Sequence, residues 1–261
     1  MHMDEGQSLG LQIDYELLDF DLMPEGPTRL AAVLDEAEHR GFTGLNVTYP
    51  SKQAVIPLLH ELSPEARALH SVNTVLFRGG RRIGHNTDWW GFAESFRREM
   101  SDVNPRRVVL VGAGGAGAAV GYGLLEQGAE HVTVIDSDRD RADACVVRLA
   151  KRFGDDRVAV TSDLDRALAD AHGLVNATPI GMHGHPGTAV PGRLVHDGLW
   201  VSDVVYFPLE TELVRLARSR GCRVVPGGGM AVHQAVGAFE YFTGRAADAA
   251  RMTRHFEELT A

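Results

Sequence analysis

Along the chain, apolar runs of strand length alternate with longer segments whose apolar residues recur at helical spacing. This is the pattern of a mostly parallel sheet covered by helices, and it places the protein in the α/β class. It predicts strands at 12–17, 44–47, 72–77, 107–111, 131–135, 157–160, 173–176, 199–204 and 222–225. Helices fall between them. One spans 28–40 and is stopped by Gly41; another spans 64–70, with Ser63 as N-cap and Pro64 in the first helical position. At 101–105 helical period gives way to a polar stretch containing Pro105, followed by a new buried strand, so a domain boundary is expected there. Residues 1–100 then form one domain, 101–230 a second, and helices in 231–261 return to the first.

Composition narrows the class of function. A chain of 261 residues, 44% of them hydrophobic, can fill two ordinary cores. The net charge of −9 comes from interspersed acids and bases, which gives no footprint for a phosphate backbone; nucleic acid is not an expected partner. Cys145 and Cys222 stand far apart in apolar surroundings, which fits neither a disulfide framework nor a metal knuckle. A cytoplasmic setting is expected. No apolar run reaches the length of a membrane span, so a membrane is not an expected partner either.

The most informative local motif follows the strand at 107–111, where Gly112-Ala113-Gly114-Gly115-Ala116-Gly117 leads into an apolar helix ending near Gly128. Gly112 permits a tight turn, Gly114 lets the backbone approach a pyrophosphate, and Gly117 lets helix and strand pack closely; the diphosphate then sits on the helix N-terminus. The next strand ends at Asp136, whose carboxylate can accept hydrogen bonds from the adenosine ribose hydroxyls. The same carboxylate would repel a 2′-phosphate, which favours NAD over NADP. Arg139 and Arg141 nearby are spaced like solvated residues on the following helix.

Around these elements stand Asn46-Val-Thr-Tyr-Pro-Ser-Lys52, Ser71-Val-Asn-Thr-Val75, Gly84-His-Asn-Thr-Asp88, Asn176-Ala-Thr-Pro-Ile-Gly-Met182, Val204-Val-Tyr-Phe-Pro-Leu-Glu-Thr211 and Gly229-Met-Ala-Val-His-Gln-Ala235. With these motifs the sequence resembles the shikimate dehydrogenase family. Six motifs in order cover nearly the whole chain. Asp136, the run Glu210-Thr-Glu212 and the ending after Gln234 are most similar to the NAD-using quinate/shikimate dehydrogenases. The resemblance implies a Rossmann-like NAD-binding domain, an open α/β substrate-binding domain, and a cleft between them that takes a cyclic hydroxy-acid. A homodimer is the assembly carried forward with it.

Oxidising a secondary alcohol needs a group that takes the hydroxyl proton while hydride leaves for the nicotinamide. The resemblance assigns this to Lys52, with Asp88 as its partner. Without it, Lys52 reads as a solvated lysine after Pro50, and Asp88 as an acidic residue at a helix start. The resemblance further implies that Thr48, Asn73 and Gln234 hydrogen-bond ring hydroxyls, that Tyr206 reaches the substrate carboxylate, and that Thr178 and Gly229 join the cofactor contacts. Asn86 and Thr87 are expected to shape the turn that presents Asp88. No metal is expected: His183 and His185 alternate in a Gly-rich loop without a third ligand. Trp89 and Trp90 read as anchors at the start of a helix.

One departure from the family concerns the start. Members begin with a strand and a Ser-x-Ser or Ser-x-Thr stretch ahead of a Pro-x-Met-His helix start, whereas this chain begins at Met1-His2. The expectation is a missing first strand and a missing hydroxyl pair for the substrate carboxylate, which Ser8 does not replace, through a misassigned or truncated start. This leaves open a same-fold enzyme for another polyol or amino cyclic acid, and a catalytically impaired NAD-binding protein.

Overall fold

The structure is a computed structural model and describes residues 1–103 and 105–260. The chain divides into two compact units, one formed by Met1–Thr87 with Gln234–Ala261 and the other by Asp88–His233. The division thus precedes the expected boundary at 101–105, a stretch in which Asn104 lies outside the described residues. The reason is packing. The helix at Asp88–Glu99 lies against the helix at Gly115–Glu126, with Trp89 edge-on to Tyr122 at 5.2 Å. Gly123 is the small residue that admits this contact, since a Cβ there would lie 2.9 Å from the Trp89 carbonyl oxygen.

The first unit contains, in chain order, α1 (His2–Ser8), α2 (Leu30–His39), β1 (Gly44–Asn46), α3 (Ser51–Ala54), β2 (Glu61–Leu62), α4 (Pro64–Leu69), β3 (Thr74–Arg78) and β4 (Arg81–His85). Its sheet runs β1-β3-β4-β2 and is mixed: β1/β3 and β3/β4 are antiparallel, and only β2/β4 is parallel. The mostly parallel pattern expected for the whole chain therefore fails here. The periodicity of β4 was too polar to mark a strand, but Gly79-Gly80, both with positive φ, close a tight hairpin from β3. Register sets the chemistry of one sheet edge, because Asn46 pairs with Thr74 and Thr74 with His85. The residues that follow β1 and β4 therefore meet the residue that precedes β3. Ser63 caps α4 as expected, accepting from the Ala66 amide at 3.1 Å.

The expected strand at 12–17 is absent. A strand needs a neighbour to pair with its backbone groups, and among the described residues none pairs with this segment. Side chains hold it instead. Tyr15 stacks on His2 at 5.1 Å and donates to Asn46 Oδ1 at 3.3 Å, while Leu17 is 81% exposed. The core under this sheet gathers Leu34, Val55, Ala66, Val72 and Val75.

The second unit begins with α5 (Asp88–Glu99) and continues β5 (Arg107–Val111), α6 (Gly115–Glu126), β6 (His131–Ile135), α7 (Arg139–Phe153), β7 (Val158–Val160), α8 (Leu164–Ala169), β8 (Gly173–Asn176), β9 (Trp200–Asp203), α9 (Glu212–Ser219) and β10 (Arg223–Val225). The long helix α10 (Gly228–Thr243) then passes into the first unit, which ends with α11 (Ala249–Thr260). There Arg251 forms a bidentate pair with the fully buried Glu5 carboxylate and so fastens α11 to α1. The six strands of the second unit are all parallel, in the order β10-β9-β8-β5-β6-β7. Read from β7, this is the doubly wound order whose direction reverses between β5 and β8, the place where such sheets take a dinucleotide. One face packs Val109, Leu174, Val201, Leu213 and Leu168 into a single core.

Candidate active and cofactor sites

In the second unit the glycine turn has the three properties its sequence predicts. Gly112 has φ +102°, and a Cβ there would press on the Ala177 backbone at 2.8 Å. Gly117 sits so close to the turn that a Cβ would lie 1.9 Å from the Gly112 carbonyl oxygen. Gly114, the N-cap of α6, has nothing within 4 Å of its Cβ position. The helix N-terminus is thus open on that side, with Ala113, Gly115 and Ala116 completing the loop, and its free amides suit a diphosphate.

Asp136 follows β6 directly and is wired into this turn. Its Oδ2 accepts from the Ala113 amide at 2.7 Å, and its Oδ1 from the Asp138 amide at 2.9 Å. Arg141 donates to both oxygens, Nε to Oδ2 at 3.0 Å and Nη2 to Oδ1 at 2.5 Å. Burial alone would raise the carboxyl, but the Arg141 guanidinium and the two backbone amides outweigh it and hold the group at about 2. Arg141 is therefore not the freely solvated residue its spacing suggested. Arg139 does pair outward, with Asp143 one turn along α7. The signal for Arg141 was its place in the first turn of the helix that follows Asp136.

At the ends of β8 and β9 lies a network that sequence reasoning left out. Asn176 Oδ1 accepts from the amide and the hydroxyl of Thr178 at 3.0 and 2.7 Å. Asn176 Nδ2 donates to the Ile180 carbonyl at 3.0 Å and to Asp203 Oδ1 at 2.9 Å. Asp203 also accepts from the Val205 amide and from the Thr211 hydroxyl, at 3.1 and 2.7 Å. Thr178 adjoins the glycine turn, since its Cγ2 would lie 3.0 Å from a Cβ on Gly112. Tyr206, half-exposed, is carried by the loop between β9 and α9, and Gly229 lies in the first turn of α10 with Ser95 and Glu99 against it.

In the first unit the sheet edge described above assembles a second polar cluster. The buried Asn73 donates from Nδ2 to Thr87 Oγ1 at 2.9 Å and to Gln234 Oε1 at 3.4 Å. Its Oδ1 accepts from the Thr87 amide at 2.8 Å and from the Thr74 hydroxyl at 3.0 Å. Thr87 in turn donates to the Gln234 carbonyl at 2.9 Å, and Asn86 ties the same turn to the Ser71 carbonyl at 3.0 Å. Thr48 is exposed just beyond β1, where its carbonyl accepts from Ser51 at the start of α3. Lys52 is partly buried on that helix. Asp88, buried, opens α5 in the second unit. Thr87 is the residue that sequence reasoning undervalued: a threonine in a turn gives no sign that it joins Asn73 to Gln234. Among the described residues no group of three or more His, Cys, Asp or Glu side chains is placed to hold a metal ion, and no helix is long and apolar enough to cross a membrane.

Comparison with known proteins agrees with this geometry. Residues 1–75 match the shikimate dehydrogenase substrate binding domain, residues 94–181 the shikimate/quinate 5-dehydrogenase domain, and residues 227–255 the shikimate 5′-dehydrogenase C-terminal domain. The chain is 51% identical to a shikimate dehydrogenase (NADP(+)) of Streptomyces avermitilis, over 99% of its own length and 90% of the relative's. It is 44% identical to a quinate/shikimate dehydrogenase (NAD(+)) of Corynebacterium efficiens, over 99% and 92% of the two chains. Among solved structures, quinate dehydrogenase from Corynebacterium glutamicum in complex with NAD superimposes with a TM-score of 0.90 at 41% identity, covering 98% of this chain and 92% of that one. The chain is an oxidoreductase that belongs to the shikimate dehydrogenase family.

Proposed function

We propose that the chain oxidises a ring hydroxyl of shikimate or quinate to the 3-dehydro ketone, and catalyses the reverse reduction, with NAD. The second unit would bind the dinucleotide and the first the cyclic acid. The observation that carries this is Asp136, whose carboxylate hydrogen-bonds the glycine turn from the end of β6. A carboxylate in that place accepts from a ribose diol and opposes a 2′-phosphate.

When bound, the nicotinamide supplies the hydride acceptor. The chain's own residues supply the rest. Lys52 would exchange the hydroxyl proton at Nζ, with Asp88 as its partner in the reaction. Asn73 already uses both amide hydrogens and both carbonyl lone pairs. The longest of these four bonds, to Gln234 Oε1, is the one a ring hydroxyl would replace. Thr48 and Gln234 would then complete the grip on the ring, with Tyr206 toward the carboxylate. The loop from Gly112 to Gly117, through the amides at the start of α6, would hold the dinucleotide with Thr178 and Gly229.

A second reading, NADP as cofactor, draws on Arg141 and on the NADP-named Streptomyces relative. Arg141 neutralises Asp136 in the free protein and could turn to a 2′-phosphate. The NAD reading has the fixed group on its side: Asp136 is 6% exposed and is held by two backbone amides, whereas Arg141 is 44% exposed on a flexible stem. The test is formation of reduced cofactor from shikimate and from quinate, followed by absorbance, with each dinucleotide. NADH formed from either acid supports the proposal. A folded protein that binds NADH and turns over neither acid would refute it.

A further inference from the structure

The two halves of the doubly wound sheet repeat one arrangement. In the first half β6 lies beside β5 and is followed directly by Asp136; in the second β9 lies beside β8 and ends at Asp203. Each carboxylate makes three kinds of bond. Asp136 accepts from Ala113 just beyond β5, from the amide two residues on, and from Arg141 in the first turn of α7. Asp203 accepts from Asn176 at the end of β8, from the amide two residues on, and from Thr211, the N-cap of α9. The correspondence covers the strand end and the amide two residues on, while the third partner lies inside the first turn of α7 in one half and at the N-cap of α9 in the other.

They differ in what they leave available. Asp136 has an exposed cation, Arg141, as its third kind of partner, which a ligand can displace. Asp203 is 1% exposed, and among the described residues the Thr211 hydroxyl, the Val205 amide and the Asn176 amide donate to it. Its effect leaves the interior through those groups. Asn176 passes it to Thr178 and Ile180, and Thr211 to α9 and to Gly181, whose Cβ position lies 3.4 Å from the threonine. The His183 amide donates to the Phe207 carbonyl at 3.1 Å, which ties the loop after β8 to the loop after β9.

A doubly wound sheet binds one mononucleotide over each half. Asp136 serves the half that takes the adenosine. We propose that Asp203 is the positioning residue for the nicotinamide half of the cofactor, fixing the loops after β8 and β9 through Asn176 and Thr211. This rests on the reading of the second unit as a dinucleotide site. Burial without a cation pushes the Asp203 carboxyl up to about 6, a cost retained at the strand end where those two loops meet.

The experiment compares binding of NADH with binding of adenosine diphosphate, which lacks the nicotinamide half, in the wild type and in Asp203→Asn, Thr211→Val and Thr211→Ser. Asparagine keeps the size of the side chain but loses one acceptor, so a folded variant is expected, checked by its melting curve. The proposal expects Asp203→Asn and Thr211→Val to weaken NADH by about tenfold, or about 1.4 kcal/mol, with adenosine diphosphate unchanged. Thr211→Ser, which keeps the hydroxyl, should bind NADH as the wild type does. Equal loss of both ligands, or unchanged NADH binding in the folded variants, overturns the positioning role. Should Asp203→Asn not fold, the Thr211 pair decides on the same terms. A wild type that binds adenosine diphosphate and NADH equally well overturns it too, while a wild type that binds neither overturns the dinucleotide reading beneath it.

Discussion

The two units present chemistry in opposite ways. In the second, the candidate site is made of backbone: a glycine turn, the open amides of a helix start, and the ends of parallel strands. In the first it is made of side chains, with Asn73, Thr87 and Gln234 meeting across 161 positions of sequence at the edge of a short mixed sheet. A backbone site cannot change without changing the fold that forms it. A side-chain site can lose its chemistry and keep its fold.

The largest effect that tests this contrast is Gly117→Ala. Its Cβ would fall 1.9 Å from a backbone oxygen that cannot step aside, so the variant should lose at least about 3 kcal/mol of stability in urea denaturation. Gly114→Ala, with open space at its Cβ, should stay within about 1 kcal/mol of the wild type yet bind NADH at least about tenfold more weakly. Similar melting for the two variants would break the distinction.

Next in size is a pH effect confined to the second unit. The Asp203 carboxyl lies at about 6 in the fold against 3.8 ordinarily, mainly through burial, with its hydrogen bonds offsetting only part. A raised acid contributes stability that is fully present below its unfolded value and is lost as pH rises through the folded one. Between pH 3 and pH 7 the wild type should therefore lose about 3 kcal/mol relative to Asp203→Asn, read from urea midpoints of both proteins at the two pH values. Parallel curves would mean that the carboxyl is not raised. Asp136 has the opposite sign: held at about 2, its contribution is present above pH 4 and is lost as pH falls through about 2.

Lys52→Ala probes the first unit. Turnover should fall by about a hundredfold or more, about 2.7 kcal/mol, with NADH affinity and melting temperature unchanged, because a proton-transfer group acts mainly in the transition state. Full turnover in the variant would remove Lys52 from the mechanism. The smallest effect expected is on cofactor choice. Arg141→Ala strips the cation from Asp136 and should raise the preference for NAD over NADP by a few-fold, about 1 kcal/mol, measured as the ratio of kcat/KM values. A fall in the ratio would not fit.

The same contrast explains what could be read from the sequence. β5 and β8 were legible to the residue, because a strand buried on both faces is a nearly continuous apolar run between turn signals, and β6 because its residues alternate between buried and half-buried. The glycine turn was legible through its spacing, and two of its positions, Gly112 and Gly117, leave no room for a Cβ. β4 was not, since Arg81-Arg82-Ile83-Gly84-His85 is half-exposed and earns its place through pairing with β3 and β2. The segment 12–17 failed in the other direction: its composition suits a strand, but no described neighbour pairs with it. Lys52, Asp88 and Asn73 were found by resemblance, because an exposed-looking lysine and a turn asparagine carry no local mark of function. Thr87 was read only as a turn residue, and Asn176 and Asp203 were given no role, because their roles lie in bonds to residues distant in sequence. Arg141 was read as solvated, since a helix-start arginine looks so until the strand end beside it is known.

The proposed activity turns most directly on the wild-type ratio of kcat/KM for NAD to that for NADP, measured with saturating shikimate or quinate. With Asp136 fixed against the glycine turn, the ratio should be at least about ten, about 1.4 kcal/mol in favour of NAD. A ratio of one or below would contradict it and assign the site, through Arg141, to NADP.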